Sequence, residues 1–532
     1  MPVEVVDIWT GRHASALRIA LRMTNEAFAD TLGTAVRTVA KWNAQPDLVP
    51  VTELQRALDT ELSRAPQDVQ ARFALLTSGG DKPIRPAGSR SGGDDGGAIE
   101  LRMTHDPAIS DALQWLDTRA GWPAGEARQR VRLELSTLDM DILEARTQRR
   151  GNVGRAELAV ALASYYDPAA PYRFYSFRHA GQQFTTSVLT QPDWLDLGLP
   201  LGQGRDNIVF NPQKQAPLQQ LHGHALDGAV RRLAETLAVG TRMVNAPLYR
   251  LLSTGISARG LTGSVGLARF VDYALTLDLL ENELIDAVSR GETITAGKLL
   301  LRDHYLPDTS VLTDVGGRLC AGGPLALLAI ARSSQRRRGG PPDYVLLVQE
   351  RSGRVLNSAR RLAVIPKAFH EPLVDFSDDA QISATIEREM EEELFGRTEL
   401  DSTYEEPRRA DPMHISNLSA PMRWLVNHTD SSAWQTECVG FGLNAMTGNF
   451  EFASTVVIND PEWWEEFGGA IQANWETEGV RRYSSLDHDQ LAELIEDPAW
   501  SNEGLFAFCQ AIRRLAQLGG DRVNLPPIDL EI

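Results

Sequence analysis

The sequence predicts a multidomain chain with an all-α head, a mostly helical middle region and an α/β/α sandwich at the carboxyl end. Three observations lead to this fold class. Helical periodicity with a glycine turn marks the first sixty residues, a Gly/Ser/Pro-rich stretch follows residue 77, and strands enclose an acidic helix after residue 300. A chain of 532 residues has room for several ordinary domains. The predicted boundaries are 1–77, 78–98, 99–298 and 299–525.

The head contains two helical patterns that meet at Gly33. Glycine tolerates the positive φ of a tight turn between helices, so we predict one helix before it and another after it. In the later helix Val39 and Trp42, three positions apart, face inward. Arg37 and Lys41, four positions apart, share the outward face.

This pattern resembles the Cro/C1 (Xre-type) helix-turn-helix family, whose third helix enters the major groove of double-stranded DNA. Arginine reads guanine through two hydrogen bonds, and lysine bonds either guanine or a phosphate. The resemblance places DNA contacts at Thr24, Asn25, Val36, Arg37, Thr38 and Lys41. Ala35 stands where the family has a capping Ser or Thr, so Thr34 is expected to cap instead. The alternative is a three-helix bundle with no DNA partner.

Residues 78–97 contain many Gly, Ser, Pro and charged residues and almost no apolar ones. Such a segment cannot bury a core, so we predict a flexible linker over 78–98. The linker uncouples the head from the rest of the chain unless dimerisation connects them.

The middle region, 99–298, gives mixed signals. Helical patterns cover 109–116, 127–146, 155–166, 227–237, 246–254 and 265–289. A strand pair is predicted at 172–177 and 183–189. We expect a mostly helical scaffold, with a dimerisation or effector-pocket role as the alternative.

An acidic helix is predicted over residues 382–396. At 100° per residue its apolar positions form one stripe, Ile382, Ile386, Met390 and Leu394. Three carboxylates share one face beside that stripe: Glu389, Glu392 and Glu393. Buried carboxylates repel one another unless a cation is present, so the pattern predicts a divalent metal site. The alternative is a solvated acidic helix.

This helix resembles the end of the Nudix hydrolase signature. The matching residues are Arg388, Glu389, Met390, Glu392 and Glu393. In that family the glutamates hold Mg²⁺ or Mn²⁺, which activates water for attack on nucleoside diphosphate derivatives. Three signature positions are changed, with Val374 for the opening Gly, Ala380 for the first Glu and Phe395 for the last Gly. The Gly-rich turn before the helix is replaced by 366–372, so hydrolysis is not expected.

The segments around the acidic helix fit the strand order of the Nudix α/β/α sandwich. Strand-like runs precede it at 325–331, 344–350 and 361–365, and others follow at 438–443 and 450–458. The resemblance covers about 300–525, which completes the fold class: a helix-turn-helix head, a mostly helical middle region and a Nudix-like sandwich.

Composition bounds the remaining possibilities. The longest apolar run is too short to cross a membrane, and no apolar segment near the amino end predicts secretion. Three widely spaced cysteines match neither a disulfide framework nor a zinc cluster, which favours a cytoplasmic protein. Only five of the 53 basic residues are lysine, a bias typical of high-GC bacterial genomes. The net charge of −18 arises largely in the carboxyl half, so the head remains able to dock on DNA.

Together these patterns predict a sequence-specific DNA-binding transcriptional regulator, acting as a homodimer, whose Nudix-like domain senses a nucleotide-like ligand with or without a divalent ion. No catalytic residue is assigned. One alternative is an active Nudix hydrolase with an accessory DNA-binding head. The other is a non-catalytic protein whose acidic body recruits a partner to DNA.

Overall fold

The chain forms two compact units, Met1–Gly93 and Asp94–Ile532. The structure is a computed structural model. It describes residues 9–62 in part, Phe73, and 95–531 apart from 203–204, 215–219, 242, 258–259, 335–339, 352–360, 396–412, 429–432, 470 and 472–476.

In the first unit, helix α1 spans Gly11–Ala20 and is the one element whose bounds are described. Apolar side chains from positions between 9 and 73 form a common core. Its members include Trp9, Leu17, Phe28, Leu32, Val39, Trp42, Leu58, Leu62 and Phe73. The unit therefore has an apolar interior of its own.

The second unit begins with five helices: α2 (Asp95–His105), α3 (Pro107–Ala120), α4 (Glu126–Thr137), α5 (Met140–Gly151) and α6 (Arg155–Tyr166). Helix α3 has clear end signals. Asp106 accepts the backbone N–H of Ala108 at 3.1 Å and caps the amino end, and Gly121 with φ of 66° follows the carboxyl end. Helices α3 and α4 share a helical core with α7 (Gly223–Val239).

A ten-stranded mixed sheet forms the centre of this unit. Its strands are β1 (Arg173–His179), β2 (Gln182–Thr190), β3 (Leu199–Pro200), β7 (Gly322–Arg332), β8 (Asp343–Arg351), β9 (Leu362–Val364), β10 (Trp434–Asn444), β11 (Asn449–Ile458), β12 (Thr477–Ser484) and β13 (Asp529–Leu530). The order is β12-β8-β7-β11-β10-β2-β1-β13, with β3 beside β10 and β9 beside β8. Strands β7 and β11 are parallel, in the register Leu325↔Ala453.

A second sheet has three strands: β4 (Asp206–Phe210), β5 (Pro247–Ser257) and β6 (Gly260–Arg269), in the order β4-β6-β5. The remaining helices are α8 (Phe270–Ala274), α9 (Leu279–Ser289), α10 (Leu300–Tyr305), α11 (Thr309–Thr313), α12 (Ile382–Glu389), α13 (Ala420–Asn427), α14 (Pro461–Phe467), α15 (His488–Glu496) and α16 (Asn502–Leu518).

The large sheet buries both of its faces. Along β7, Leu325 and Leu327 belong to one apolar core while Ala326 and Leu328 belong to another, as the alternation of a strand requires. Helix α12 contributes to the core of Ala326, and α16 contributes to the core of Leu325. The acidic helix and α16 therefore cover opposite faces of the sheet.

The predicted fold class is wrong in its division of the second unit. Strands β1 and β2 lie in the predicted helical middle region, yet β2 pairs with β10 in the register Leu189↔Leu443. The middle region and the predicted sandwich thus share one sheet rather than forming separate blocks. The described part of the first unit does not show an all-α head either, because α1 is its one bounded helix.

One predicted helix in the middle region was also wrong, and another was wrong only at its start. Residues 246–254 lie mostly in strand β5, whereas 265–289 begins with the end of strand β6 and continues with helices α8 and α9. The second half of β5 alternates between half-buried and exposed residues, which is the period of two expected of a strand. Short apolar runs do not distinguish this period from that of a helix. The predicted strand runs at 172–177, 183–189, 325–331, 344–350, 438–443 and 450–458 do coincide with observed strands. Among the described residues, no helix has the length and apolar character needed to cross a membrane.

Candidate functional site

The predicted DNA-binding residues are described only in part. Thr24, Asn25, Val36 and Arg37 lie outside the described residues. Thr38 is half-buried and Lys41 is exposed, whereas Val39 and Trp42 are buried in the core of the first unit. The inward and outward positions predicted for Val39, Trp42 and Lys41 are therefore those observed.

The acidic helix has the predicted apolar stripe. Ile382, Ile386, Met390 and Leu394 are all fully buried in one core. The α-helix ends at Glu389, however, and Met390–Leu394 continues as a π-helix. A π-helix has wider turns, with hydrogen bonds from residue i to i+5, so the assumption of 100° per residue no longer holds for the last glutamates.

A buried arginine lies among the predicted metal ligands. Arg388 is 3.0 Å from the Glu389 carboxylate and 3.8 Å from the Glu392 carboxylate. It also donates a 2.9 Å hydrogen bond to the carbonyl oxygen of Glu371. Burial lowers the pKa of Arg388, but the nearby glutamate charges outweigh it and raise this pKa above its ordinary value. The guanidinium thus occupies the position of countercharge that a divalent ion was predicted to fill.

The third predicted ligand, Glu393, has a different environment. Its Oε2 atom accepts the backbone N–H of Lys367 at 2.9 Å. The adjacent Glu391 accepts both the N–H and the hydroxyl of Ser419, at 2.7 and 2.6 Å. In the described part of the chain no three His, Cys, Asp or Glu side chains form a group that could hold a metal ion. Glu389, Glu392 and Glu393 are not brought together as such a group, and the metal site stays a prediction.

Lys367 connects the acidic helix to the opposite face of the sheet. Its ammonium group forms a 2.6 Å salt bridge with Glu503, in the first turn of α16. The Asn444 amide, at the end of β10, donates to both Glu503 and Glu451 at 3.4 Å. The Ser187 hydroxyl in turn donates to the Asn444 side-chain oxygen at 2.9 Å. These contacts form a buried polar network, which we call the Lys367 network.

Carboxylates outnumber cations in the Lys367 network. Burial, and then the charge of Glu503, raise the pKa of Glu451 to about 8 against the opposing effects of Lys367 and Asn444. Glu281 is not one of the residues that define this network, but the charge of Glu503 reaches it: burial raises the pKa of Glu281 to about 7, and the charges of Asp278 and Glu503 add to the effect. At neutral pH Glu451 is therefore largely protonated, and it presents a carboxylic acid rather than a carboxylate.

Three aromatic rings pack together near these carboxylates. The centroid of the Phe369 ring lies 5.0 Å from that of Tyr273 and 5.8 Å from that of Phe270. Burial, then the charges of Asp278 and Glu281, raise the pKa of Tyr273 well above its ordinary value. The Asn449 amide donates to the Tyr273 hydroxyl at 3.4 Å, and its oxygen has no hydrogen-bond partner among the described residues. A buried amide oxygen without a hydrogen-bond partner is unusual in native proteins. It marks a position where a ligand or a water molecule supplies the missing hydrogen bond.

The sequence patterns did not identify most of this network. Glu451 lies between two apolar residues of a strand, so its alternation predicts a solvent-facing side chain, yet α16 covers that face. Glu503 is an acidic residue in the first turn of a helix, a common position for such a residue, so the sequence does not single it out. Lys367 lies in the segment 366–372 that replaces a Gly-rich turn, and no sequence pattern there predicts a role for it. The one available signal was the scarcity of lysine, which makes a lysine before the acidic helix noteworthy.

Comparison with protein-family models finds no match for this chain, and a search of curated proteins finds none either.

Proposed function

We propose that the chain is a sequence-specific DNA-binding transcriptional regulator, in which the first unit contacts double-stranded DNA and the second unit senses a nucleotide-like ligand. The observation that carries the DNA-binding part is the arrangement of one segment. Val39 and Trp42 are buried while Lys41 is exposed. A basic side chain held outward by two buried apolar neighbours is what a recognition helix requires.

The ligand-sensing part of the proposal is supported by the Lys367 network and the aromatic rings near it. Carboxylic acids and amides pair with the edges of a nucleobase, and aromatic rings such as Tyr273 stack on its face. The Lys367 ammonium group is already in a salt bridge with Glu503, so the network offers the phosphates of such a ligand no unpaired positive charge, and its base and sugar are the recognised parts. Phosphate hydrolysis is not proposed, because Arg388 already provides the countercharge for Glu389 and Glu392.

A cytoplasmic location and a homodimer complete the proposal. Cys320, Cys438 and Cys509 are all buried and free, which suits a reducing compartment. A dimer would bind two half-sites and compensate for the low positive charge of a single head.

The DNA-binding proposal is tested by selection of DNA from a random duplex pool with the full chain. We expect the wild type to enrich a defined sequence and Arg37→Ala/Lys41→Ala to enrich none. The matched control is Arg149→Ala/Lys298→Ala, which removes the same charge from exposed sites of the second unit. Equal enrichment by the wild type and the Arg37/Lys41 variant would refute the assignment of the recognition helix.

The sensing proposal is tested by thermal-shift measurements on the full chain with nucleosides and nucleoside diphosphate derivatives, with and without Mg²⁺ or Mn²⁺. Product analysis accompanies each measurement. We expect stabilisation without turnover, and less stabilisation in Asn449→Leu. Metal-dependent hydrolysis would instead establish the enzyme, and DNA binding with no ligand at all would favour the recruiter.

A further inference from the structure

Asn502 is the first residue of α16, and its side chain contacts the start of α6. Its amide nitrogen donates a 3.3 Å hydrogen bond to the backbone carbonyl oxygen of Arg155, the first residue of α6. Asn502 is 4% exposed and Arg155 is 6% exposed. The amino ends of two helices are therefore linked by a buried amide.

The Nε atom of the Arg155 guanidinium is buried and has no hydrogen-bond partner among the residues that the structure describes, and Arg155 forms no salt bridge with them. Its guanidinium carbon lies 5.7 Å from the centroid of the Phe184 ring. Burial, and the charge of the nearby Arg361, lower the pKa of Arg155, with Cys509 and Asp497 acting in the opposite direction. A buried arginine without an anionic partner is costly, and in native proteins such a group usually has a counterion.

Arg361 brings a second guanidinium to the same place. It donates to the carbonyl oxygens of Val153, at 2.7 Å, and Pro498, at 3.5 Å. The acidic residue next to it, Asp497, already accepts the N–H of Ala499 at 2.8 Å and lies 4.0 Å from Arg481. Two arginines thus lie beside the amino end of a 17-residue helix, whose dipole also favours an anion.

The Asn502 amide restricts which anion fits. Because the carbonyl oxygen of Arg155 can only accept, the Asn502 nitrogen must face it, and this fixes the orientation of the amide. The Asn502 oxygen is then left without a hydrogen-bond partner in the described part of the chain. An occupant must supply acceptors for the arginines and a donor for this oxygen. An ionised carboxylate has no donor, whereas a phosphate group that retains one proton has both.

We propose that Arg155, Arg361 and Asn502 form a binding site for a protonated phosphate group at the amino end of α16. The site is separate from the proposed DNA contacts and from the Lys367 network, so it stands or falls independently of the proposed function. Phosphate bound there would tie α6 to α16 and to the start of β9.

Isothermal titration calorimetry of the full chain with inorganic phosphate, in a buffer otherwise free of oxyanions, tests the proposal. We expect one saturable site, and Arg155→Leu should weaken it by at least about tenfold, the effect of losing a charged hydrogen bond. Arg149→Leu, which removes an exposed arginine, is the matched control and should bind as the wild type does. Sulfate has the same shape without a proton at neutral pH, so it should bind more weakly than phosphate.

Thermal unfolding distinguishes a specific loss of phosphate binding from a folding defect in the variant. At the same phosphate concentration the melting temperature should rise in the wild type and in Arg149→Leu, and should rise much less in Arg155→Leu. Arg155→Lys, which keeps the charge but not the two-pronged geometry, should retain weakened binding. No phosphate binding at millimolar concentration would mean that water fills the gap. Equal binding of phosphate, sulfate and chloride would mean an adventitious ion only. Either result, or unchanged binding in Arg155→Leu, would overturn the proposal.

Discussion

Glu451 is 5% exposed and lies within reach of the Glu503 charge. Its folded-state pKa of about 8 is above the ordinary glutamate value of 4.5, so the folded protein holds this proton more tightly than the unfolded chain does. The stability that the group contributes is therefore complete below about pH 4.5 and is lost as the pH rises through about 8. This side chain makes the interior of the sheet sensitive to pH in the neutral range.

Glu451→Gln removes that titration and keeps the size of the side chain. The unfolding free energy of the wild type should fall as the pH rises from 5 to 8, whereas that of the variant should not. The variant minus wild-type difference should therefore increase by up to about 1.4 kcal/mol for each pH unit in this range. Urea unfolding at several pH values measures it. Glu493→Gln, at an exposed position of α15, is the control and should show no such slope. A flat difference for Glu451→Gln would mean that the buried acid is ionised throughout.

Arg388→Gln tests the countercharge role of the buried arginine. Without the guanidinium, Glu389 and Glu392 lose their common partner in a buried site, so unfolding free energy at pH 7 should fall by about 3–5 kcal/mol. The exposed Arg423→Gln serves as control. A loss no larger than that of the control would show that the glutamates are balanced in another way.

At the scale of elements, the apolar stripe of the acidic helix was predicted correctly, whereas the positions of its glutamates beyond Met390 were not predictable. Periodicity identifies which face of a helix is buried, but it does not foresee a π-helical turn that changes the angle between successive residues. Most of the long strands were found because their apolar alternation is strong. The pairing of β2 with β10 was not found, because the paired residues Leu189 and Leu443 are 254 positions apart and leave no local signal in the sequence.

Ile386→Ala measures how firmly that stripe holds the acidic helix to the sheet. The side chain is 1% exposed, and its truncation leaves a cavity against the strands, so unfolding free energy should fall by about 2–5 kcal/mol. Val374→Ala, at a position that is 53% exposed, should change it by less than about 0.5 kcal/mol. Chemical denaturation of both variants makes the comparison. Equal effects would contradict the packing of α12 on the sheet.

The chain has two compact units with separate apolar cores. Trp42→Ala should therefore destabilise the first unit by about 3–5 kcal/mol and leave the unfolding of the second unit unchanged. Differential scanning calorimetry of the full chain separates the two transitions. A common shift of the entire profile would show that the units unfold as one cooperative block.

The salt dependence of DNA binding by the full chain tests the role proposed for the first unit. Fluorescence anisotropy with the DNA that the wild type selects should show affinity falling steeply as salt rises, because phosphate contacts release counterions. Arg37→Ala/Lys41→Ala should lose specific affinity and have a smaller salt slope, while Arg149→Ala/Lys298→Ala should match the wild type. Wild-type affinity and slope in the Arg37/Lys41 variant, or no DNA binding by the wild type at low salt, would contradict the account.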